Sequence, residues 1–218
     1  MKLSEVRKRL LEKTEQGLIS YGYKKGKGII YKNITDYKLY IGFGIVDSDN
    51  SFPSTFHYGI SSKKVNNLLV AVLPERKLKK GDTHTVYGTK QARLYDNGEF
   101  PVLEYDIETE RDITTMVNSL HEYYTKVAYP FLERLTDIYE LDKFINSQKV
   151  LNESMHLPTT LINGLIVSKL SFNPDHEYLK FKYKKLIKEW PKWDNEDLNK
   201  VVRFLDNHTK EELEDISK

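Results

Sequence analysis

Three carboxylates alternate with apolar residues near the middle of the chain, at Glu104, Asp106 and Glu108. In a β-strand, side chains at positions i, i+2 and i+4 point to the same face, so these three would lie together. Closely spaced carboxylates can carry out general acid–base catalysis or bind a cation. Because Tyr105 and Ile107 lie between them, the segment also has the pattern of an amphipathic strand with a solvated charged face. We take all three as candidate binding residues and assign none of them a catalytic role.

A basic and aromatic segment follows the first predicted helix. It contains Lys24, Lys25, Lys27 and Tyr31, which are the second set of candidate binding residues. Lysine neutralises phosphates and an exposed tyrosine ring stacks on bases, so the pattern fits nucleic acid or another polyanion. The segment lacks arginine, the residue preferred for bidentate phosphate contacts. An acidic protein partner and an ordinary solvated surface are the alternatives.

A second basic and aromatic stretch occupies residues 180–188, where Phe181 and Tyr183 stand among five lysines. The stretch predicts a helix, and lysine stems can cover apolar surface while their ammonium groups stay in water. We therefore expect both aromatic rings to face the core and the lysines to face solvent.

Several kinds of site are excluded by composition and spacing. The chain has no cysteine, so disulfides, thiolate nucleophiles and cysteine-bound metal centres are absent. Its histidines are too far apart to place two on one turn of a helix: His57, His84, His121, His156, His176 and His208. Residues 22–28 lack the spacing and the hydroxyl of a phosphate-binding loop. Residues 47–58 lack the glycine and glutamate of a calcium loop. We expect no cofactor, no metal site and no catalytic motif.

Charge is unevenly distributed along the sequence. Residues 1–93 hold 18 Lys and Arg against 8 Asp and Glu, whereas residues 94–218 hold 16 against 24. The two parts either face each other or form a dipolar surface that steers a charged partner. The longest apolar run, Leu68 to Leu73, is far shorter than a membrane span, and the N-terminus lacks the apolar run of a signal peptide. We expect a cytoplasmic protein that does not enter a membrane.

Hydrophobic periodicity predicts the order of the elements. Apolar residues from Leu3 to Leu18 recur at helical spacing, with Ser4 as the predicted N-cap and Gly22 as the stop. Alternation over residues 37–45 and 56–60 predicts strands, which form an antiparallel meander with a shorter strand at residues 29–31. Beyond Thr109, a predicted helix cap, the pattern is helical almost to the C-terminus.

Strands in the first half and helices in the second are typical of an α+β fold. We predict an N-terminal helix, an antiparallel β-sheet covered by helices, and a helical C-terminal half. Residues 1–147 are expected to form an α+β domain. Residues 148–218 are expected to form a helical C-terminal subdomain packed on or beside it.

The order of these parts resembles a bacterial domain-of-unknown-function family, number 4304. The similar segments are Leu18–Lys25, the strand pair that runs to Ile45, Tyr129–Leu132, Leu141–Phe144, and the helix Leu161–Leu170 followed by Pro174, Tyr178 and Tyr183. They span about two-thirds of the chain, and residues 47–53 and 75–80 have no counterpart among the family's features. The resemblance implies an α+β fold without an established activity. Some such bacterial families resemble immunity proteins that neutralise toxins.

Three functional hypotheses follow from these observations. The first is a non-catalytic binding protein whose partner is another protein, for example a toxin that it neutralises. The second is a nucleic-acid or polyanion binder that uses the basic N-terminal half. The third is an enzyme whose site is assembled by the fold from residues distant in sequence. The residues leave the oligomeric state and the strand order open.

Overall fold

A computed structural model describes residues 1–76, 86–87, 104–153, 157–188 and 195–218. The elements of these residues, in chain order, are α1 (Leu3–Leu18), β1 (Lys24–Lys25), β2 (Ile29–Ile34), β3 (Tyr37–Ile45), β4 (Phe52–Ser62), α2 (Lys63–Val72), β5 (Val86–Tyr87), β6 (Glu104–Ile107), α3 (Glu110–Tyr123), α4 (Tyr129–Arg134), α5 (Ile138–Ile145), α6 (Gln148–Glu153), α7 (Leu157–Leu170), α8 (His176–Lys188), α9 (Asn195–Asp206) and α10 (Lys210–Ile216). The chain has an α+β fold with an N-terminal helix, an antiparallel sheet and a helical C-terminal half. This confirms the predicted fold class.

The chain divides into two compact units. The first comprises Met1–Ile60 and Tyr87–Glu133, and the second comprises Ser61–Val86 and Arg134–Lys218. The division therefore differs from the expected boundary after residue 147. Helices α2 and α5 pack on α7, so they group with the C-terminal helices although they precede that boundary in sequence.

The sheet is built from antiparallel neighbours that follow one another along the chain. Its order is β1-β2-β3-β4-β5, and β6 pairs with β4. Lys24 of β1 lies opposite Tyr31 of β2, and Tyr31 lies opposite Tyr40 of β3. The pairing of β4 with β6 runs from Phe52 opposite Ile107 to Thr55 opposite Glu104. The sheet thus contains the predicted antiparallel meander of β2, β3 and β4, and β1 adds a short edge strand.

The two faces of this sheet follow from the pairing, because directly opposed residues project to the same side. On the inner face, Ile30 opposes Ile41 and both are fully buried beside α1. Phe56 and Tyr58 of β4 also point inward, where their rings contact Tyr123 of α3. The alternate residues of each strand form the outer face, on which side chains from β1, β2, β3, β4 and β6 project.

Helix α1 buries the predicted stripe: Val6, Leu10, Leu11, Thr14 and Leu18. The prediction of Ser4 as its N-cap is wrong. The helix already begins at Leu3, so Ser4 lies within the first turn and the capping position falls on Lys2, which makes no side-chain cap. Gly22 acts as the predicted stop, with φ at 80° and its N–H donated to the Ile19 carbonyl.

Thr109 caps helix α3, as predicted, and the structure adds a capping box with Asp112. The Asp112 N–H donates to the Thr109 hydroxyl, and the Thr109 N–H donates to the Asp112 carboxylate at 2.8 Å. A π-helical turn over Tyr124–Ala128 joins α3 to α4. Pro130 has no N–H to donate, and the wider turn, closed by the Tyr129 N–H on the Tyr124 carbonyl, lets the helix continue through it.

The second unit is arranged around α7. Residues on every side of this helix are buried, because α2, α5, α8, α9 and α10 all pack against it. Ser62 caps α2 by accepting the Val65 N–H. None of the described helices combines the length and the apolar character needed to cross a membrane.

Candidate functional site

The candidate site is the outer face of the first unit's sheet. One side of this face, here called the basic edge, consists of Lys24, Lys27, Tyr31 and Lys38. The other side, the acidic edge, consists of Glu104 and Asp106. Both sets of sequence-predicted binding residues therefore contribute to one face of one sheet.

The basic edge is organised around the Tyr31 ring. The Nζ atom of Lys24 lies 5.1 Å from the ring centroid and that of Lys38 lies 5.7 Å from it. These are cation–π distances, which hold two ammonium groups beside one ring. Lys27 lies in the turn between β1 and β2 and is exposed. Within the described part of the chain, neither Lys24 nor Lys27 has a carboxylate within ion-pair distance.

Lys25 does not belong to the basic edge, although it follows Lys24 directly. It pairs with Ile30, so it projects to the opposite side of the sheet. There its backbone N–H donates to Glu15 Oε1 at 2.7 Å, and its Nζ lies 3.4 Å from Glu12 Oε1. Contact with α1 therefore occupies Lys25 and leaves less of its charge for an external ligand.

The acidic edge is formed by two of the three predicted carboxylates. Glu104 lies opposite Thr55 and Asp106 lies opposite Pro53, and both carboxylates are exposed. Glu108 lies beyond the end of β6, where its N–H donates to Asp112 Oδ2 at 3.1 Å. The Glu108 backbone thus belongs to the start of α3, and the predicted alternation ends at Asp106.

Between the two edges, the central strand carries no side chain at two outward positions. A Cβ at Gly42 would lie 2.3 Å from His57 Nε2, and a Cβ at Gly44 would lie 3.0 Å from Thr55 Oγ1. The side chains of β4 therefore lean over β3 where glycine makes room for them. This packing keeps β3 and β4 close and gives the edges a rigid support.

The charges of the two edges are too far apart to neutralise each other through water. Lys38 lies on β3, which only β4 separates from β6, so it is two strand spacings, or at least about 10 Å, from the acidic edge, and Lys24 and Lys27 lie further away. Exposed charges are screened over about 8 Å in physiological salt. The outer face is therefore dipolar, with independent basic and acidic sides.

Behind the sheet are two pairs of tyrosines: Tyr58 of β4 contacts Tyr123 at the end of α3, and Tyr23, just before β1, contacts Tyr124 of the π-helical turn. The Tyr23 and Tyr124 hydroxyls lie 2.5 Å apart, and those of Tyr58 and Tyr123 lie 2.8 Å apart. Burial raises the pKa of both Tyr23 and Tyr124 above the ordinary tyrosine value, so both hydroxyls stay protonated. Tyr123 and Tyr124 are adjacent in the sequence, but nothing there indicates their partners. We assign these pairs a structural role.

Groupings that suggest catalysis do not reach solvent or do not form. Within the described ranges, no three His, Asp or Glu side chains are close enough to share a metal ion. In the second unit, Ser168 Oγ lies 2.7 Å from His176 Nδ1, which resembles a nucleophile and base. Ser168 is fully buried, however, and its hydroxyl also contacts the Leu165 carbonyl at 2.9 Å. A substrate cannot reach this pair in the folded protein.

The lysine-rich helix α8 departs from its predicted orientation. Tyr183 is fully buried, as expected, but Phe181 is 71% exposed, so the prediction that both rings face the core is wrong. Leu179, Tyr183 and Ile187 are four residues apart and define the buried side. Phe181 lies two residues from Leu179 and from Tyr183, which turns it to the opposite side of the helix.

No family model, curated protein sequence or solved structure matches this chain. The resemblance to domain-of-unknown-function family 4304 therefore rests on the residues named for it, and membership of that family stays a prediction. The basis for inferring a function is the outer face with its two charged edges.

Proposed function

We propose that this chain is a non-catalytic binding protein that recognises another protein through the basic edge. The observation that carries the proposal is the exposure of Lys24 and Lys27 and the lack of a carboxylate near either of them among the described residues. Both are exposed beside Tyr31 on a paired strand or its turn, and within the described residues neither has a carboxylate partner. A partner that presents carboxylates would supply what Lys24 and Lys27 lack among the described residues.

The geometry suits a protein partner for two reasons. Complementary charge accelerates encounter and fixes the register of a complex, and tyrosine is enriched among the residues that dominate binding energy. The Tyr31 ring lies on β2, which pairs with β3 over six residues, so the backbone that carries the ring is ordered before a partner binds. The acidic edge extends the same face and would meet a basic part of the partner.

Nucleic acid is the weaker proposal. Base stacking needs an open ring, but the Tyr31 ring already has two ammonium groups within 6 Å of its centroid. The ring of Tyr40, which lies opposite Tyr31, is 1% exposed, so the outer face has no second ring there on which a base could stack. Arginine, which forms bidentate phosphate contacts, is also absent from the edge.

We further propose that the partner is met in the cytoplasm and that binding neutralises a toxin. The support for this step is the resemblance of the chain to the bacterial family named above, together with its cysteine-free composition. A protein that acts by blocking its partner needs a rigid charged surface and no catalytic group of its own.

A site-specific photo-crosslink tests the proposal. Tyr31 is replaced by p-benzoylphenylalanine, and the protein is irradiated in a lysate of the source cells. The matched control carries the same group at Tyr21, which is 39% exposed and contacts Tyr129 on the helical side of the unit. Crosslinked species are identified by mass spectrometry, after nuclease treatment in a parallel sample.

We expect one predominant protein adduct from position 31 that is absent from position 21 and unaffected by nuclease. Adducts that are equal at the two positions would contradict a binding role for the basic edge. An adduct at position 31 that nuclease removes would replace the proposal with nucleic-acid binding.

A further inference from the structure

Helix α8 of the second unit exposes a stripe that combines aromatic rings and charge. It is here called the α8 stripe and consists of Glu177, Tyr178, Phe181, Lys184, Lys185 and Lys188. Tyr178 is 62% exposed and Phe181 is 71% exposed, and the two lie one turn apart on the same side of the helix. The core does not use them, because Leu179, Tyr183 and Ile187 cover the opposite side.

Charge changes sign along the stripe. At the N-terminal end, the Lys180 Nζ lies 2.6 Å from Glu177 and 2.5 Å from Asp206, so one cation stands between two carboxylates and negative charge is in excess. The Glu177 side chain remains 78% exposed. At the C-terminal end, the three lysines of the stripe have no carboxylate within ion-pair distance among the described residues.

This order of charges is complementary to itself. If a second copy of α8 lies antiparallel across the first, the acidic end of each helix meets the basic end of the other. A two-fold axis through Phe181 brings Glu177 of one copy level with Lys184 and Lys185 of the other, because these residues lie three or four positions on either side of Phe181. Glu177 and Lys184 are seven residues apart and so lie on the same flank of the helix.

We infer that the α8 stripe is a dimerisation surface for a second copy of this chain. Packed helices lie about 8–10 Å apart, which brings the two Phe181 rings into contact at the axis. Glu177 pairs with Lys184 along one flank, and along the other flank Lys185 approaches the Tyr178 ring of the second copy, as a cation–π pair requires. A single helix pair buries less surface than a standard stable interface, so the dimer is weak and depends on concentration.

The test is sedimentation velocity of the full chain over a wide concentration range at low salt. The wild type is expected to pass from monomer to dimer, and Phe181→Ala should weaken the association at least about tenfold. Tyr139→Ala is the matched control, because it removes another exposed aromatic ring, from α5, and should leave the dimer intact. Circular dichroism confirms that each variant is folded.

Charge reversal distinguishes this arrangement from any other use of the helix. Glu177→Lys and Lys184→Glu should each weaken self-association, because like charges then meet on one flank. A mixture of the two variants should form a heterodimer, in which both flanks again carry one Lys–Glu pair. A chain that stays monomeric at every concentration, or a dimer that Phe181→Ala leaves unchanged, would overturn the inference. So would two variants that fail to associate with each other, or a stripe whose variants lose only binding to anionic vesicles.

Discussion

A buried histidine in the second unit should make the stability of this protein depend on pH. His176 opens α8 and is 7% exposed, with its Nδ1 atom 2.7 Å from Ser168 Oγ. The Ser168 hydroxyl donates to the Leu165 carbonyl, so Nδ1–H must donate to Ser168. The Nε2 atom is then an unprotonated acceptor, and it is buried without a hydrogen-bond partner among the described residues.

The size of the effect follows from the shift in the His176 pKa. The pKa of His176 is lowered from 6.5 to about 4, mainly by burial and in smaller part by the positive charges of Lys180 and Lys169, while Glu177 and Asp206 oppose the shift. Because the folded pKa lies below the unfolded one, the unfolded chain binds the proton first as the pH falls. Stability is therefore lost between pH 6.5 and about 4. The expected loss between pH 7.5 and pH 5 is about 2 kcal/mol.

Urea unfolding of the wild type and of His176→Gln, followed by circular dichroism at these two pH values, measures the effect. Glutamine keeps an amide donor for Ser168 but cannot titrate. The variant should be less stable than the wild type at pH 7.5. Between pH 7.5 and pH 5, however, the free energy of unfolding of the variant should fall by about 2 kcal/mol less than that of the wild type. An equal fall in both proteins would refute the argument, because it would show that His176 takes up no proton on unfolding.

Two further substitutions test the packing behind the candidate site and between its two edges. Tyr124→Phe removes one hydroxyl of a buried pair, so the Tyr23 hydroxyl loses its partner. Urea titration should show that the free energy of unfolding falls by about 1–2 kcal/mol. In the double variant with Tyr23→Phe, the free energy of unfolding should fall by less than the sum of the two single changes. Gly42→Ala places a Cβ 2.3 Å from His57 Nε2 and should cost about 1–3 kcal/mol by thermal unfolding, but little in a His57→Ala background. A Gly42→Ala penalty that is the same in both backgrounds would contradict the described contact.

The features that sequence predicted correctly depend on residues close together in the chain. The α3 cap needs only Thr109 and Asp112, which are three residues apart, and the stop at Gly22 needs only one residue that tolerates a positive φ. The alternation at residues 37–45 correctly places Leu39, Ile41 and Phe43 together on the buried inner face, although Tyr40 on the other face is buried as well. Such signals are local, and tertiary packing left them unchanged.

The features that sequence missed depend on long-range contacts. Lys24 and Lys25 are chemically alike, but the pairing of β1 with β2 places one on the outer face and turns the other toward Glu12 and Glu15 of α1. The orientation of Phe181 was missed because lysines on both sides of α8 hide its apolar periodicity. Nothing in its neighbouring residues indicates that Lys180 is inward, held between Glu177 and Asp206.

The candidate site was accordingly predicted in part. Tyr31 and Lys24 share a face with Glu104 and Asp106, but the sequence could not show that one sheet carries both groups. The relative position of the two groups depends on the order of the strands in the sheet. That order arises only when residues 104–107 pair with a strand within residues 1–60, which are far away in the sequence. Glu108 was assigned to the strand because its spacing continues the alternation. In the structure its backbone N–H instead donates to Asp112, which takes part in the cap of α3.

The most direct measurement of the proposed function is the affinity of the partner captured at position 31 for two matched variants. Lys24→Glu with Lys27→Glu reverses the basic edge, and Arg7→Glu with Lys8→Glu makes the same charge change at exposed positions of α1. Titration calorimetry should show a Kd at least about tenfold weaker for the first variant, equivalent to about 1.4 kcal/mol, and an almost unchanged Kd for the second. Equal Kd values for the two variants would contradict recognition through the basic edge.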